Sequence, residues 1–279
     1  MAKQKSTRSV EINGKSWIES VAQCIDNNGL EAFPSTLVDA LKTLVIFDNS
    51  VVFTYNHNEK PLCLFDTFTP EKRVVFVDDY LKGPYLLDPF FKICVKKVEA
   101  GLYRLGDIAP DRFYQSEYFR SYYQRTRLAD EICYAFYLDK SVAIVISLMR
   151  AEENSRFSAR EFRLLESVAP IVISLARRHW MAVPDKFDAG SVRQGRKDAF
   201  SLTEDTVRAM FSTRLTPRET QVVAQVLEGH SSDSIANDLG ISVGTVRIHR
   251  RNIYAKLQIS SQQELFSIFL KKVTNEQLA

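Results

Sequence analysis

Residues 215–257 contain the boundary signals of three consecutive helices, and they constrain the fold more than any other part of the chain. Thr216 can cap the first helix, Pro217 suits its first position, and Glu219 can reach back to the cap. An apolar stripe follows, and Gly229 can take the left-handed conformation that ends a helix. The next two helices are bounded by Ser231, Gly240 and Ser242. This spacing of helices and glycine-containing turns predicts a helix-turn-helix, a module that binds DNA.

The third of these helices combines an apolar face with a basic one. At 100° per residue, Val246, Ile253 and Leu257 fall within about 40° of one another, so we expect them to face the core. Four cations and no acidic residue lie between positions 247 and 257: Arg247, Arg250, Arg251 and Lys256. Arginine suits guanine edges and phosphates in the major groove. A merely solvated basic face is the alternative, and the two helices ahead of it favour DNA binding.

Residues 215–270 resemble the DNA-binding domain of LuxR-type transcription regulators. The resemblance rests on Leu-Thr-Pro-Arg-Glu at 215–219, Ser-Ile-Ala at 234–236, and Thr-Val-Arg-Ile-His at 245–249, with Ile253 and Lys256-Leu257. It implies four helices, of which the third enters the major groove and the fourth pairs two subunits. The residues that match or neighbour the family's DNA contacts are Arg247, Ile248 and Arg251 for base edges and Thr245, His249 and Lys256 for the backbone, with Arg250 as a further candidate.

The last helix, expected from Gln262 to Lys272, is apolar for a short terminal helix. Its apolar residues include Leu265, Ile268 and Phe269, and they must be buried against something. Part of this surface can pack on its own domain. The remainder predicts a homodimer that binds an inverted repeat in double-stranded DNA. The N-terminal domain is a second candidate for subunit contacts.

The N-terminal region predicts helices packed on a short antiparallel sheet. Two amphipathic helices come first, the second from Pro34 to about Asp48. Apolar and β-branched runs then predict two hairpins, at 51–65 and 131–149. We expect a further helix across residues 111–125. Ser158 and Glu161 form a capping-box pattern that begins a long helix ending near His179.

These patterns divide the chain into two domains and a linker. We expect an α+β sensor-like or ligand-binding-like domain over residues 1–181 and an all-α four-helix helix-turn-helix domain over residues 213–279. Residues 182–212 combine Pro184, Gly190 and several charges with little periodicity. This composition predicts a linker, with room for one short helix at 202–211.

Aromatic residues are concentrated in the N-terminal domain. Ten Phe and ten Tyr lie between residues 47 and 137, out of 18 and 11 in the whole chain. Such density can line a pocket for a small apolar or amphipathic ligand. It can equally form core and interface packing. Both interpretations stay open from the sequence.

The segment from Tyr80 to Pro89 resembles the part of LuxR-type sensor domains that ends in Asp-Pro. In the acyl-homoserine-lactone receptors of that family, the Asp that matches Asp88 accepts a hydrogen bond from the ligand amide. An Asp before a proline is also a good helix N-cap. The candidate ligand-binding residues are Tyr80, Tyr85, Asp88 and Tyr103. The tryptophans that those receptors place around this Asp are absent, because Trp17 and Trp180 are the only two in the chain.

The composition excludes several other classes of protein. A chain with 45% hydrophobic and 25% charged residues and a formal net charge of +3 has an ordinary soluble composition. No apolar run approaches the roughly 20 residues of a membrane span, so we expect a cytoplasmic protein without a membrane partner. The four cysteines and four histidines are dispersed, which argues against a metal site or cofactor.

These observations predict a one-component, sequence-specific transcription regulator that is not an enzyme, since no catalytic motif is present. Its N-terminal domain is expected to sense a small molecule or to mediate dimerisation. One alternative is a protein-interaction module with only non-specific DNA affinity. Another is a response-regulator-like protein, although the chain begins with two helices and lacks the acidic cluster of a receiver domain.

Overall fold

Five antiparallel strands form the centre of the N-terminal domain in the computed structural model, which describes residues 14–56, 59–184 and 202–276. The strands are β1 (Asn49–Asn56), β2 (Leu62–Asp66), β3 (Gly101–Arg104), β4 (Leu128–Tyr137) and β5 (Val142–Ala151). Their order in the sheet is β2-β1-β5-β4-β3. Both predicted hairpins, β1–β2 and β4–β5, are confirmed. Strand β3 was not predicted, because its four residues are all half-buried and show no alternation.

Both faces of the sheet are buried, so the domain has three layers. In β5, Ile144 and Ile146 point to one core, and Val145 and Met149 point to the other. This period of two follows from the strand geometry. Three helices cover the first face: α1 (Gly14–Asp26), α2 (Phe33–Lys42) and α7 (Ala159–His179).

Helix α7 confirms the capping box that the sequence predicts. The Ser158 hydroxyl accepts from the Glu161 N–H at 3.2 Å, and the Ser158 N–H donates to Glu161 Oε2 at 2.7 Å. The same carboxylate accepts from Arg150 Nη2 at 2.5 Å, which ties the helix start to β5. The helix continues through Pro170 to His179, as expected.

The second face of the sheet is covered by short elements. They are α3 (Pro70–Arg73), a π turn at Val74–Asp79, 3₁₀ turns at Tyr80–Lys82 and Pro84–Leu87, α4 (Pro89–Val95), α5 (Leu105–Ile108), a 3₁₀ turn at Phe113–Gln115, α6 (Glu117–Ser121) and a 3₁₀ turn at Tyr123–Thr126. The stretch 111–125, predicted as helical, therefore consists of short helical pieces and not of a single helix. Ser116 caps a new helix in the middle of that segment. The helix expected from Pro34 to Asp48 is also shorter, since α2 ends at Lys42.

Five helices form the C-terminal domain. They are α8 (Leu202–Phe211), α9 (Pro217–Glu228), α10 (Ser232–Leu239), α11 (Val243–Leu257) and α12 (Gln262–Glu276). The predicted four-helix unit corresponds to α9–α12. Helix α8 has the expected bounds, but it packs on α9 through buried Val207 and Phe211 and so extends the helical domain. Of the predicted linker, residues 185–201 lie outside the described residues.

The two domains contact each other through polar groups. Lys92 Nζ donates to Glu228 Oε1 at 2.7 Å, and each of these side chains is only 14% exposed. The Ser231 N–H donates to Asp111 Oδ1 at 2.9 Å. The buried apolar core of the sensor-like domain also continues into that of the helical domain. The helix-turn-helix therefore rests on the face of the sensor-like domain that lies opposite α1, α2 and α7.

Two glycines allow this close approach. Gly83 has φ +138°, and a Cβ there would lie 2.8 Å from Val273 Cγ1 on α12. Gly229 has φ +100° and ends α9, and a Cβ there would lie 3.1 Å from the Phe113 Cα and the Ser116 Cβ. Only glycine adopts backbone with such positive φ freely, and a Cβ at either position would also be too close to its neighbours. Both positions therefore favour glycine.

The described cysteines are all free thiols: Cys24, Cys94 and Cys133 are buried, and Cys63 is half-buried. Within the described ranges, no group of three or more His, Cys, Asp or Glu residues could hold a metal ion. A search of the same ranges finds no helix with the length and apolarity that a bilayer crossing requires.

Candidate functional site

Helix α11 is held by its apolar face, as the sequence predicts. Val246, Ile253 and Leu257 are 0%, 1% and 5% exposed and belong to the domain core. The helix begins at the predicted cap, where the Ser242 hydroxyl accepts from the Thr245 N–H at 3.0 Å. Capping and burial of three apolar side chains fix the orientation of the opposite face.

That opposite face is exposed and basic. Arg247 and Arg251 are exposed, and Ile248 between them is 51% exposed. In the described part of the chain, neither guanidinium forms an ion pair or a hydrogen bond. These three residues match the predicted base-edge contacts. The two guanidinium groups and the Ile248 side chain are exposed on one side of the helix.

The other predicted DNA-binding residues have neighbours within the domain. The Thr245 hydroxyl shares a hydrogen bond of 2.8 Å with the Ser242 hydroxyl. Arg250 Nη2 lies 3.4 Å from both the Tyr254 hydroxyl and Gln262 Oε1. His249 is half-buried. All of them lie on α11, but among these residues only Arg247, Ile248 and Arg251 are exposed and form no hydrogen bond or ion pair within the described ranges.

Lys256, the remaining predicted backbone contact, is exposed but has a partner within the domain. Its Nζ donates to both carboxylate oxygens of Glu219, at 2.9 and 2.7 Å. Burial alone would raise the pKa of Glu219, but the hydrogen bonds from Lys256 and Thr216 lower it below its ordinary value. Lys256 thus ties α11 to the capping box at the start of α9.

The apolar side of helix α12 is more buried within the chain than the prediction of a dimer contact implies. Leu265 and Phe269 are 1% and 0% exposed, and only Ile268 of the predicted dimer residues keeps partial exposure. The helix packs on α9 and also on α6 of the sensor-like domain. In this arrangement Leu265 and Phe269 lie in the chain's own core, so they are not available to a second subunit.

A small cavity of about 30 Å³ lies between the sheet and the short elements of the second face. Its wall includes aromatic rings from β1, α4 and the segment 118–123, together with the carboxyl groups of Asp88 and Glu131. The aromatic residues of the N-terminal domain therefore contribute to core packing and also to the wall of a cavity. Many rings form core, and several of them line a cavity.

Asp88 has the capping role that the sequence suggests, and it also lines the cavity. Its Oδ1 accepts from the Phe90 N–H at 2.8 Å, which caps α4. Its Oδ2 accepts from the Tyr80 hydroxyl at 2.6 Å, and the Tyr80 hydroxyl lies 2.7 Å from the Tyr55 hydroxyl. Burial raises the pKa of Asp88 to about 6, against the lowering effect of Tyr80 and the Phe90 N–H.

Glu131 on β4 is a second carboxyl group in the wall, and it was not predicted. It is 6% exposed and accepts from the Tyr123 hydroxyl at 3.1 Å. Burial, and next the charge of Asp88, raise its pKa to about 8, although hydrogen bonds from Ser147 and Tyr123 act in the opposite direction. The sequence shows Glu131 as one acid at the start of a strand, without a sign of the distant groups around it.

The candidate ligand residues divide into two pairs. Tyr80 and Asp88 line the cavity. Tyr85 and Tyr103 do not. Tyr85 packs against Tyr80 and Phe91. Tyr103 lies on the edge strand β3, and its hydroxyl donates to the Glu99 carbonyl. The wall residues that sequence reasoning missed include Tyr55, Tyr118, Tyr122, Tyr123, Glu131 and Ser147.

Segment 111–126 connects the cavity to the helical domain. Tyr118, Tyr122 and Tyr123 line the cavity on one side of this segment. On its other side the Arg112 N–H donates to the Gly229 carbonyl at 3.0 Å. Helix α6, within the segment, contacts both α9 and α12. A molecule in the cavity would therefore touch the same segment that holds the helix-turn-helix.

Comparison with known proteins agrees with both domains. Residues 213–269 match the family described as "Bacterial regulatory proteins, luxR family". The chain is 31% identical over 183 residues to the "Putative HTH-type transcriptional regulator in exeN 3'region" of Aeromonas salmonicida, an alignment that covers 66% of this chain and 93% of that protein. The HTH-type transcriptional regulator MalT of Yersinia pestis (strain Pestoides F) is 41% identical over 64 residues, which are 23% of this chain and only 7% of that protein.

The sensor-like domain has a solved structural relative. The VqsR LBD domain from Pseudomonas aeruginosa superposes with a TM-score of 0.52 and 28% sequence identity, and the match covers 60% of this chain and 98% of that one. The sequence expectations of an α+β sensor-like domain and a helix-turn-helix domain are thereby confirmed. The chain is a transcription regulator that belongs to the LuxR family of bacterial regulatory proteins.

Proposed function

We propose that α11 is the helix that recognises the promoter, with Arg247, Ile248 and Arg251 at base edges. The observation that carries this proposal is the exposed, unpaired guanidinium pair on a helix fixed by its cap and core face. Arg247 and Arg251 are four residues apart, so their side chains lie on one side of the helix. Thr245, His249 and Arg250 are placed to contact the DNA backbone.

The protein acts as a homodimer on an inverted repeat. The apolar face of α12 has the composition of a helix–helix contact, but the sensor-like domain covers part of it here, through Gly83 against Val273. Pairing of two α12 helices therefore requires release from the sensor-like domain. The docked chain is then a form with weak affinity for two-fold sites.

The N-terminal cavity receives a small-molecule signal. Its wall combines aromatic and aliphatic side chains with a few polar groups, a composition typical of ligand pockets. Since segment 111–126 both lines the cavity and contacts α9 and α12, a bound molecule shifts the balance between docked and released domains. The shift equals the difference in the ligand's affinity for the two forms.

Genome-wide mapping of DNA bound by the tagged full-length protein tests this function. We expect discrete sites that contain an inverted repeat and that disappear when Arg247 and Arg251 are both replaced by Ala. A protein-interaction module would instead show diffuse occupancy without a shared motif. If the sites are lost while the amount of folded variant protein is unchanged, the loss is due to impaired DNA recognition and not to misfolding.

A further inference from the structure

The cavity wall has two carboxyl groups and no basic side chain. Asp88 comes from the start of α4 and Glu131 from β4, and none of the described residues that line the cavity is Lys, Arg or His. The two acids are close enough that the charge of Asp88 raises the pKa of Glu131. Two ionised carboxylates in one apolar cavity repel each other and are poorly solvated. A positive charge between them would relieve both costs.

Most hydroxyl donors of the wall are already engaged. Tyr80 donates to Asp88, Tyr123 to Glu131, and Tyr122 to the Val75 carbonyl at 3.0 Å. A ligand that only accepts hydrogen bonds, such as an ester or a carboxylate, would find few free donors there. The wall therefore favours ligands that donate.

Tyr118 is a polar residue of the wall with an open hydroxyl. It lines the cavity, and within the described ranges its hydroxyl makes no hydrogen bond. This hydroxyl can therefore pair with a polar atom of a ligand. Among its described neighbours, Asp88 is the acid with the strongest electrostatic effect on Tyr118, and Glu131 also contributes. A polar ligand atom between the two carboxyl groups would reach this hydroxyl as well.

On the basis of the sensing role proposed above, we propose that the cavity recognises a small aryl or alkyl amine, whose ammonium group lies between Asp88 and Glu131 and beside the Tyr118 hydroxyl. The apolar body of the molecule packs against the rings of the wall, among them Phe53 and Phe76. Ring faces also attract a cation, which adds to the carboxylate contacts. The ammonium group has three donors for these acceptors.

Three probes with one skeleton and different head groups test this inference. They are 4-phenylbutylamine, 4-phenylbutanol and 4-phenylbutanoate, titrated into the full-length protein by isothermal calorimetry. We expect the amine to bind at least about tenfold more tightly than the alcohol, because its donors are charged. We expect no binding of the carboxylate. N-hexanoyl homoserine lactone serves as an acceptor-rich probe and should bind more weakly than the amine.

Substitutions in the wall separate recognition from folding. Glu131→Gln keeps the size of the side chain, so the variant should fold, and it should bind the amine about tenfold more weakly with little change for the alcohol. Tyr118→Phe should cause a smaller loss for the amine. The matched control is Glu152→Gln, which removes the same charge from an exposed turn and should leave all affinities unchanged.

Proton release provides a readout that simple packing would not change. With its pKa raised to about 8, Glu131 carries a proton at pH 7 in the free protein, and an adjacent ammonium group would displace it. Calorimetry in buffers of different ionisation enthalpy should show release of up to about one proton. Glu131→Gln should abolish this release. The titratable groups that act on Glu131 or lie beside it in the wall are Asp88, Asp130, Tyr118, Tyr122 and Tyr123.

The outcomes distinguish this inference from the function on which it rests. If the alcohol, the carboxylate or the lactone binds as tightly as the amine, or if Glu131→Gln has no effect, the inference is wrong while a sensing cavity remains. If no probe binds, both the amine inference and the sensing role are overturned. Preferential, proton-releasing binding of the amine that depends on Glu131 supports both.

Discussion

At the scale of single residues, the protein places charge in two different ways. Arg247 and Arg251 are exposed and form no ion pair or hydrogen bond with any residue that the structure describes, which suits a helix that contacts another charged molecule. Glu131 is 6% exposed in a wall of phenols, where its ionised form is unfavourable. The first arrangement suits the proposed binding of DNA, and the second lowers the stability of the folded protein at neutral pH. Buried groups whose ionised form is disfavoured are concentrated at functional sites.

Glu131→Gln should stabilise the protein at alkaline pH. The pKa of Glu131 is raised from 4.5 to about 8 in the folded state, so the folded protein holds a proton that the unfolded chain has lost. The contribution of this group to the free energy of unfolding is full below about pH 4.5 and is lost as the pH rises towards 8. Urea unfolding at pH 5 and pH 9 should show a smaller decline for the variant than for the wild type. An equal decline in both would mean that Glu131 ionises normally.

Lys256→Ala should lower stability rather than only DNA affinity. The substitution removes both hydrogen bonds that Lys256 donates to Glu219, whose side chain is 4% exposed. Because Thr216 still donates to that carboxylate, we expect the free energy of unfolding, measured with a chemical denaturant, to fall by only about 1 kcal/mol. Arg251→Ala is the matched control on the same helix, and it should change DNA affinity with unchanged unfolding. Equal stability of the two variants would show that the Lys256–Glu219 pair contributes nothing.

At the scale of elements, local signals were predicted well and long-range contacts were not. The caps at Ser158, Thr216 and Ser242 lie within three residues of their partners, so the sequence displays them directly. The hydrogen bond between Tyr123 and Glu131, and the position of Asp88 in the same cavity wall, are set by the order of strands and turns. The segment 111–125 has the composition of a helix, but its rings pack on several sides and break it into short turns. Tertiary packing determined the outcome there.

The glycine that ends α9 provides a test of one such long-range contact. Gly229 and Gly240 both end helices with positive φ, at +100° and +64°, but a Cβ at Gly240 would meet nothing within 4 Å. Replacing either by Ala should cost about 1–2 kcal/mol for the left-handed backbone. Gly229→Ala should cost at least about 1 kcal/mol more, because its Cβ would press on Phe113 and Ser116 of the sensor-like domain. Equal losses in thermal unfolding would mean that the domains do not meet at Gly229.

At the scale of the whole molecule, one chain holds its DNA-binding domain on its sensor-like domain and leaves α11 free. Sequence patterns identify both domains, since each has its own periodicity and caps. They cannot identify the docking, because Lys92 and Glu228 are 136 residues apart. They also cannot show that α12 is covered. The proposed regulation depends on these contacts between the two domains.

A reversible covalent lock should hold the docked form. A Cβ at Gly83 would lie 3.3 Å from the Val273 Cβ, close to the distance across a disulfide bond. In Gly83→Cys, Val273→Cys protein, oxidation should reduce affinity for a two-fold site to that of a single half-site, and reduction should restore it. The single Gly83→Cys variant should not respond to oxidation. If the locked protein binds the two-fold site normally, docking does not control dimerisation.

Sequence-specific DNA recognition by α11 is tested most directly by selection from a random library of DNA duplexes. The duplexes bound by the full-length protein are compared with those bound by the Arg247→Ala variant. We predict that the wild type enriches one motif with two-fold symmetry, and that Arg247→Ala relaxes preference at one base position in each half-site with a loss of about 1–3 kcal/mol. Enrichment of no motif by the wild type, or of an identical motif by the variant, would contradict the assignment.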